Sequence, residues 1–462
     1  MSFRPNKKII HIKTEKLKNG FAVAAFGKKY KMEYPEKIWQ NVPISIRKVL
    51  TENITFASTH FLPLMLHSEK LIYDDMAQPI LETIFYKNQL LDLLDCERCD
   101  NLAHLSLIKK FYNLENEFKK GEGTWPEKSE VCSFTPKKKV AIVPFTFGKE
   151  SLLTFALCRE VGIEPILVYC QEPAQPYEGE YKLKKLKEFE KKFKVKTHFI
   201  KYEPGIFRHG KEFGLNNNTM IGWGAQTTLL ALQMIPFVYH YRARYVLFGN
   251  EFSNNYYEWK DGWKVYSCGG YDQNSAWTPQ QSTIIRLLTG GKCHVNSSLE
   301  PLEEINVFYI LHHKYPELGK FQFSCGGEAH LKKDSAWCHT CYKCTRMFLF
   351  ASSLGVDPKT IGFKEDLLQK PNLFPHYFGD VKKSGSNDEL DFSFLILQKK
   401  GIKHAYSEQF VNKKLKNTKP WQWYKNHYTN LNPAKNLPPE YENKFLEIFK
   451  KELKNFAAIL PR

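Results

Sequence analysis

The pattern of apolar and polar positions changes character at about residue 136. Before it, short strand-like stretches (KKIIHIKT, GFAVAAFGKKYKMEY) precede helix-like ones (PEKIWQNVPISIRKVL, MAQPILETIFYKNQLLDLLD, LAHLSLIKKFYNLENEFKK). That order predicts an α+β accessory domain over 1–130. It closes on a polar segment, KKGEGTWPEKSE at 119–130, which reads as a linker. From PKKKVAIVPF onward, continuous apolar runs alternate with amphipathic ones. Val140–Phe145, EPILVYCQ, KTHFIKYE and RYVLFGNE read as strands buried on both faces. LLTFALCREVG, YKLKKLKEFEKKF (apolar stripe Leu183, Leu186, Phe189, Phe193) and TMIGWGAQTTLLALQMIPFVYHYRA read as the helices between them. Strand and helix alternating at this spacing predict a doubly wound parallel sheet over 136–355. Beyond it lies a C-terminal extension, 356–462, basic and aromatic-rich and expected to be helical.

Composition narrows the class. At 462 residues, 42% hydrophobic and 25% charged, the chain is an ordinary globular protein and neither a disordered chain nor a small disulfide scaffold. The net charge of +18 favours anionic partners such as nucleotides or nucleic acid, although a Lys-rich genome produces the same excess. Residues 401–462 hold twelve Lys and Arg against five Asp and Glu, with NTKPWQWYKNHYTN clustering two Trp and two Tyr. The N-terminus shows no apolar signal region, and the most apolar stretch, TTLLALQMIPFV, carries Gln and Pro. A cytoplasmic protein without membrane contact is expected, with its 11 cysteines present as thiols or metal ligands.

Two stretches carry chemistry. The turn after the first buried strand reads Pro144-Phe145-Thr146-Phe147-Gly148-Lys149-Glu150-Ser151. In an open α/β sheet this turn is the usual anion site, because amides at the helix N-terminus point outward. Gly148 permits close backbone approach, Lys149 supplies a cation, and Thr146 and Ser151 supply hydroxyls. The bland reading, open at this point, is that Thr146 or Glu150 only caps the helix. The second stretch is FQFSCGGEAHLKKDSAWCHTCYKCTRMF, with Cys338, Cys341 and Cys344 in C-x2-C-x2-C spacing and Cys325 upstream. Four thiolates so placed fit structural Zn²⁺, with an iron–sulfur cluster as the alternative. His330 or His339 standing in for one Cys is a further alternative. Cys96 and Cys99 form an isolated C-x2-C, and Cys132, Cys158, Cys170, Cys268 and Cys293 read as scattered buried thiols.

The turn resembles the PP-loop of ATP pyrophosphatases, S-G-G-x-D-S, with Phe147 in place of the first Gly. Joined to Ser324-Cys325 and Cys338-x2-Cys341-x2-Cys344-x-Arg346, it resembles the 7-cyano-7-deazaguanine synthase (QueC) family over roughly 138–352. Gly249-Asn250-Glu251, with Ser253 and Tyr256, is similar to that family's loop after the fourth strand, and VNSSLEPL to its segment before the Cys cluster. The resemblance implies a HUP-type fold and ATP-dependent adenylation of a carboxylate such as 7-carboxy-7-deazaguanine. Pyrophosphate would be released, and ammonia or an amine would then attack. It implies Lys149, Glu150 and Ser151 in catalysis, and Thr146, Phe147, Gly148, Lys149, Ser151 and Gly249 around ATP. It further implies Asn250, Glu251, Ser253 and Tyr256 around the substrate, Mg²⁺ with the ATP, and Zn²⁺ on Cys325, Cys338, Cys341 and Cys344. The chain is about twice the length of ordinary members. Longer relatives in antiviral gene clusters are thought to couple a deazaguanine to a protein amine, which makes a protein acceptor one expectation. A tRNA-modifying PP-loop enzyme, a homodimer, an inactive member and a non-enzymatic zinc-containing nucleic-acid-binding module are the others.

Overall fold

The computed structural model describes residues 9–95, 104–131, 133–172, 176–215, 220–260, 262–266, 270–326, 335–370, 372–379 and 387–462. Twelve strands are described: β1 (Ile9–Leu17), β2 (Gly20–Ala25), β3 (Lys28–Glu33), β4 (Lys70–Tyr73), β5 (Glu115–Phe118), β6 (Lys137–Pro144), β7 (Glu164–Gln171), β8 (Lys196–Tyr202), β9 (Ala243–Glu251), β10 (Tyr257–Lys260), β11 (Trp263–Tyr266) and β12 (His294–Leu299). Ten of them form one sheet in the order β12-β9-β6-β7-β8-β3-β2-β1-β4-β5, and β10 and β11 form a separate ribbon.

Strands β12, β9, β6, β7 and β8 pair in parallel. Counted in chain order within this half, the sheet runs 5-4-1-2-3, the Rossmann-like doubly wound order in which the chain reverses direction between its first and fourth strands. Both faces are buried, as the apolar runs require. On β6, Ala141 and Val143 enter one core while Val140 and Ile142 enter the other.

The N-terminal strands extend this sheet: β3 pairs antiparallel with β8 at Met32–Tyr202 and Glu33–Lys201. The expected helix LAHLSLIKKFYNLENEFKK is divided, with a helix over His104–Tyr112 and then β5. Glu115–Phe118 pairs in parallel with β4, and sheet pairing there overrides helical spacing.

The larger helices are α1 (Ile44–Thr59), α2 (Glu82–Asp95), α3 (Lys149–Val161), α4 (Pro176–Phe193), α5 (Gln226–Tyr241), α6 (Thr278–Leu288), α7 (Glu304–Lys314), α8 (Tyr342–Leu354), α9 (Asn387–Lys399), α10 (Trp421–Tyr428) and α11 (Glu442–Ile459). Helix α5 begins seven positions later than its apolar pattern starts, after a 3-10 turn at Trp223–Ala225. Helices α1, α5 and α6 cover one face of the sheet, and α3, α7, α8, α9 and α11 the other. The C-terminal extension is helical and belongs to that second core, through Phe392, Tyr424, Tyr428, Phe445, Phe449 and Phe456. Among the described residues, no helix is long and apolar enough to cross a membrane.

Candidate active site and metal centre

Ligands bind a doubly wound sheet at the carboxyl ends of its strands, where the strand order reverses, here between β6 and β9. The turn Phe145–Gly148 leaves β6 at this point, and Gly148 is the N-cap of α3 without a side-chain cap. The first-turn amides of Lys149, Glu150 and Ser151 therefore lack helical acceptors. The Thr146 amide donates to Ser151 Oγ (3.3 Å), the Gly148 amide to Thr146 Oγ1 (3.4 Å), and Ser151 Oγ donates to the Gly148 carbonyl (3.1 Å).

Phe147 has φ of 62°, the left-handed backbone that glycine favours. Its ring lies in the core, 4.7 Å from Phe145 and 5.8 Å from Phe189, and the Phe323 amide donates to its carbonyl (2.8 Å). The residue thus combines a left-handed backbone with a ring directed into apolar packing. Holding a bulky side chain there costs about 1–3 kcal/mol, which the surrounding ring contacts offset.

Lys149 is 3% exposed and points into a group of carboxylates. Its Nζ pairs with Glu150, with Glu304 at 3.1 Å and with Glu251 at 3.5 Å. Glu251 ends β9 and Glu304 opens α7. Arg346, on α8, carries Nε to Glu304 at 2.5 Å and also pairs with Glu389 of α9. Burial pushes Glu251 well above the usual carboxylate range despite Lys149, and pushes Glu389 up to about 8 despite Arg346. Burial acts in the same sense on Glu304, but Arg346 and Lys149 outweigh it and hold that carboxyl down to about 2. Three of these acids, Glu150, Glu251 and Glu304, place one oxygen each within 4.8 Å of one another, close enough to share a cation.

Gly249 is fixed by close approach: a Cβ there would lie 2.8 Å from Glu150 Cβ and 2.9 Å from the Glu150 carbonyl oxygen. Asn250 is buried beside it, and its Nδ2 has no hydrogen-bond partner. Ser253 and Tyr256 sit further along and are bonded to Glu303, at 2.9 and 2.6 Å. Tyr256 also meets His427 of α10 at 2.9 Å. The turn, Gly249, Asn250 and Glu251 therefore come together, whereas Ser253 and Tyr256 are bound at the N-terminus of α7, where Tyr256 also meets the C-terminal extension.

The four cysteines converge. Sγ–Sγ distances are 3.4 Å for Cys341–Cys344, 3.7 Å for Cys325–Cys344, and 3.8 Å for both Cys325–Cys341 and Cys338–Cys344. Four thiolates at Zn–S lengths around a tetrahedron lie about 3.8 Å apart. An iron–sulfur cluster interposes several atoms between its thiolates and would hold the sulfurs further apart. The amides of Cys341, Cys344 and Gly326 donate to Cys338 Sγ (3.3 Å), Cys341 Sγ (3.4 Å) and Cys341 Sγ (3.4 Å), bonds that favour thiolates. The set thus has the geometry to hold one tetrahedral metal ion such as zinc. His339 stands apart from it, its Nε2 accepting from the Lys364 amide at 3.0 Å. Cys158 and Cys293 are buried thiols, as expected, and Cys170 is part-buried. Cys96, Cys99, Cys132, Cys268 and His330 lie outside the described residues.

Sequence reasoning did not single out Glu304, Glu389 or Glu303. Glu303 and Glu304 stand immediately before an apolar helical run, a capping signal, and Glu303 does form a capping box with Asn306. Nothing local marks Glu389.

The fold and the two sites define a Rossmann-like α/β protein with an anion-suited turn at the switch point and a four-cysteine centre of metal-binding type. No protein-family model matches the chain, and no curated protein matches it significantly.

Proposed function

We propose that this chain is an ATP-dependent enzyme that activates a carboxylate as its adenylate and passes the acyl group to an amine. The observation that supports this best is the coincidence, at the reversal between β6 and β9, of an uncapped helix N-terminus with a buried Lys and three carboxylates. In the reaction a substrate carboxylate oxygen attacks the α-phosphorus of ATP, and the bond to pyrophosphate breaks. The amine nitrogen then attacks the acyl carbon, and AMP leaves. Charge develops on the departing pyrophosphate, and amides fixed at a helix start stabilise it without reorganising. Glu150, Glu251 and Glu304 are the residues that would hold a divalent ion, whose chemistry is to neutralise phosphate oxygens. Their present counter-ion, Lys149, would then be released toward the phosphates.

Resemblance to the deazaguanine synthases makes 7-carboxy-7-deazaguanine or a relative the proposed carboxylate, with Asn250 and Glu251 at its edge. Ammonia, a protein amine or a tRNA group are the acceptors to be compared. The four-cysteine centre is proposed to hold structural Zn²⁺, since all four positions are filled by sulfur and none is left open for a substrate.

Replacement of Thr146 and Ser151 together by Ala should abolish pyrophosphate release from ATP in the presence of the carboxylate while leaving zinc content unchanged. Pyrophosphate release at the unmodified rate would remove the turn from the reaction.

A further inference from the structure

The ribbon formed by β10 and β11 stands outside the main sheet and has two unlike faces. Cross-strand pairs Tyr257–Tyr266 and Trp259–Lys264 share one face; Glu258–Val265 belongs to the other, where Val265 is buried and roots the ribbon to the body. The first face is exposed: Trp259 is 68% and Tyr257 48% accessible. Their ring centroids are 6.1 Å apart, and Lys264 holds its ammonium 4.0 Å from the Tyr257 ring and 4.9 Å from the Tyr266 ring. The neighbouring helix α2 adds a second exposed cation, Lys87, over Trp277.

Exposed aromatic rings interleaved with lysine, on a chain of net charge +18, suit a polyanion that offers π-faces. Tyr257 and Trp259 stand at 87° to each other, and Trp259, the more exposed ring, is the one on which an unpaired base can lie, whereas a duplex hides its base faces in the stack. We propose that this ribbon is a stacking platform for unpaired bases of single-stranded nucleic acid. Its base is fixed beside the carboxylate group, because Tyr256, immediately before β10, bonds Glu303, the neighbour of Glu304. The sequence had drawn attention to the aromatic C-terminal segment, but Tyr424 and Tyr428 there are fully buried and unable to stack on a base.

The inference is independent of nucleotide turnover, so its test omits ATP. The full chain is titrated against a fluorescent oligouridylate of about 20 nucleotides, and against the same strand paired with its complement, at roughly 50 and 200 mM salt. The single strand should bind more tightly than the duplex. Trp259→Ala, at an exposed site that leaves the circular dichroism unchanged, should weaken single-strand binding by at least tenfold. Lys264→Gln should weaken it less and reduce the salt slope by about one. No binding at the lower salt, equal binding of single strand and duplex, or binding indifferent to Trp259→Ala would overturn the proposal. So would a photo-crosslinker at position 259 that captures protein and no nucleic acid. A chain that binds RNA through Trp259 yet forms no AMP would leave this inference standing and remove the adenylation reading.

Discussion

Gly249 and Glu150 touch where the end of β9 meets the start of α3, and this contact sets how close the two halves of the crevice stand. A methyl group at 249 would press on the backbone of Glu150 as well as its side chain, so the strand end must shift. We expect Gly249→Ala to lower stability by about 1–3 kcal/mol in urea unfolding; an unchanged midpoint would show that the approach is not tight. Asp272 gives a pH signature. It accepts from the amides of Thr227 and Thr228 at the start of α5, and burial pushes it from 3.8 up to about 7. The folded chain therefore holds this proton over a window in which the unfolded chain has lost it. Its stabilising effect is complete below about pH 4 and is lost as pH rises through 7. Asp272→Asn should remove that loss, so the melting temperature of the variant relative to the parent should climb between pH 4 and 8. A difference constant with pH would contradict the assignment. At this scale the sequence was readable where a residue type is rare or restricted: the thiols announced themselves by spacing, and Gly148 by its place after a strand. Phe147 was harder, since composition does not reveal that a phenylalanine holds a left-handed backbone.

Helix α8 joins the two sites. Its N-cap is Cys341, and its second turn carries Arg346, which reaches Glu304 at the mouth of the crevice and Glu389 on α9. Arg346→Met leaves the buried Glu389 without its cation and Glu304 with Lys149 alone. We expect a loss of about 3–5 kcal/mol, read as a lower midpoint in chemical denaturation, with a smaller loss when Glu389 is replaced by Gln in the same chain. Additive losses would show that the pair is not coupled. Cys341→Ser should reduce bound zinc and folded yield together. The strands of the doubly wound half were legible because a strand buried on both faces is a continuous apolar run. The convergence of 304, 346 and 389 was not, because these residues are brought together only by tertiary packing, 42 and 43 positions apart.

Across the whole molecule, the N-terminal strands and the C-terminal helices are parts of shared cores. The join between β3 and β8 rests on two residue pairs and leaves no mark in local hydropathy. The C-terminal extension reads as basic and aromatic-rich, and its helices α9, α10 and α11 each contribute aromatic rings to the core that covers α3 and α7. Ending the chain at residue 400 would uncover Phe392, which stacks on Tyr428 at 4.9 Å and on Tyr424 at 5.7 Å. Such a truncation should be insoluble or lose its cooperative melting transition; a soluble fragment melting at the parent's temperature would contradict the shared core.

The turn at 146–151 is proposed to direct cleavage of ATP between its α- and β-phosphates. Incubating the zinc-loaded full chain with α-labelled ATP, Mg²⁺ and 7-carboxy-7-deazaguanine, and separating the products, tests it directly. Labelled AMP that requires the carboxylate and disappears in the Thr146→Ala, Ser151→Ala chain is the predicted result. Labelled ADP alone, or AMP formed equally by that variant, would contradict it.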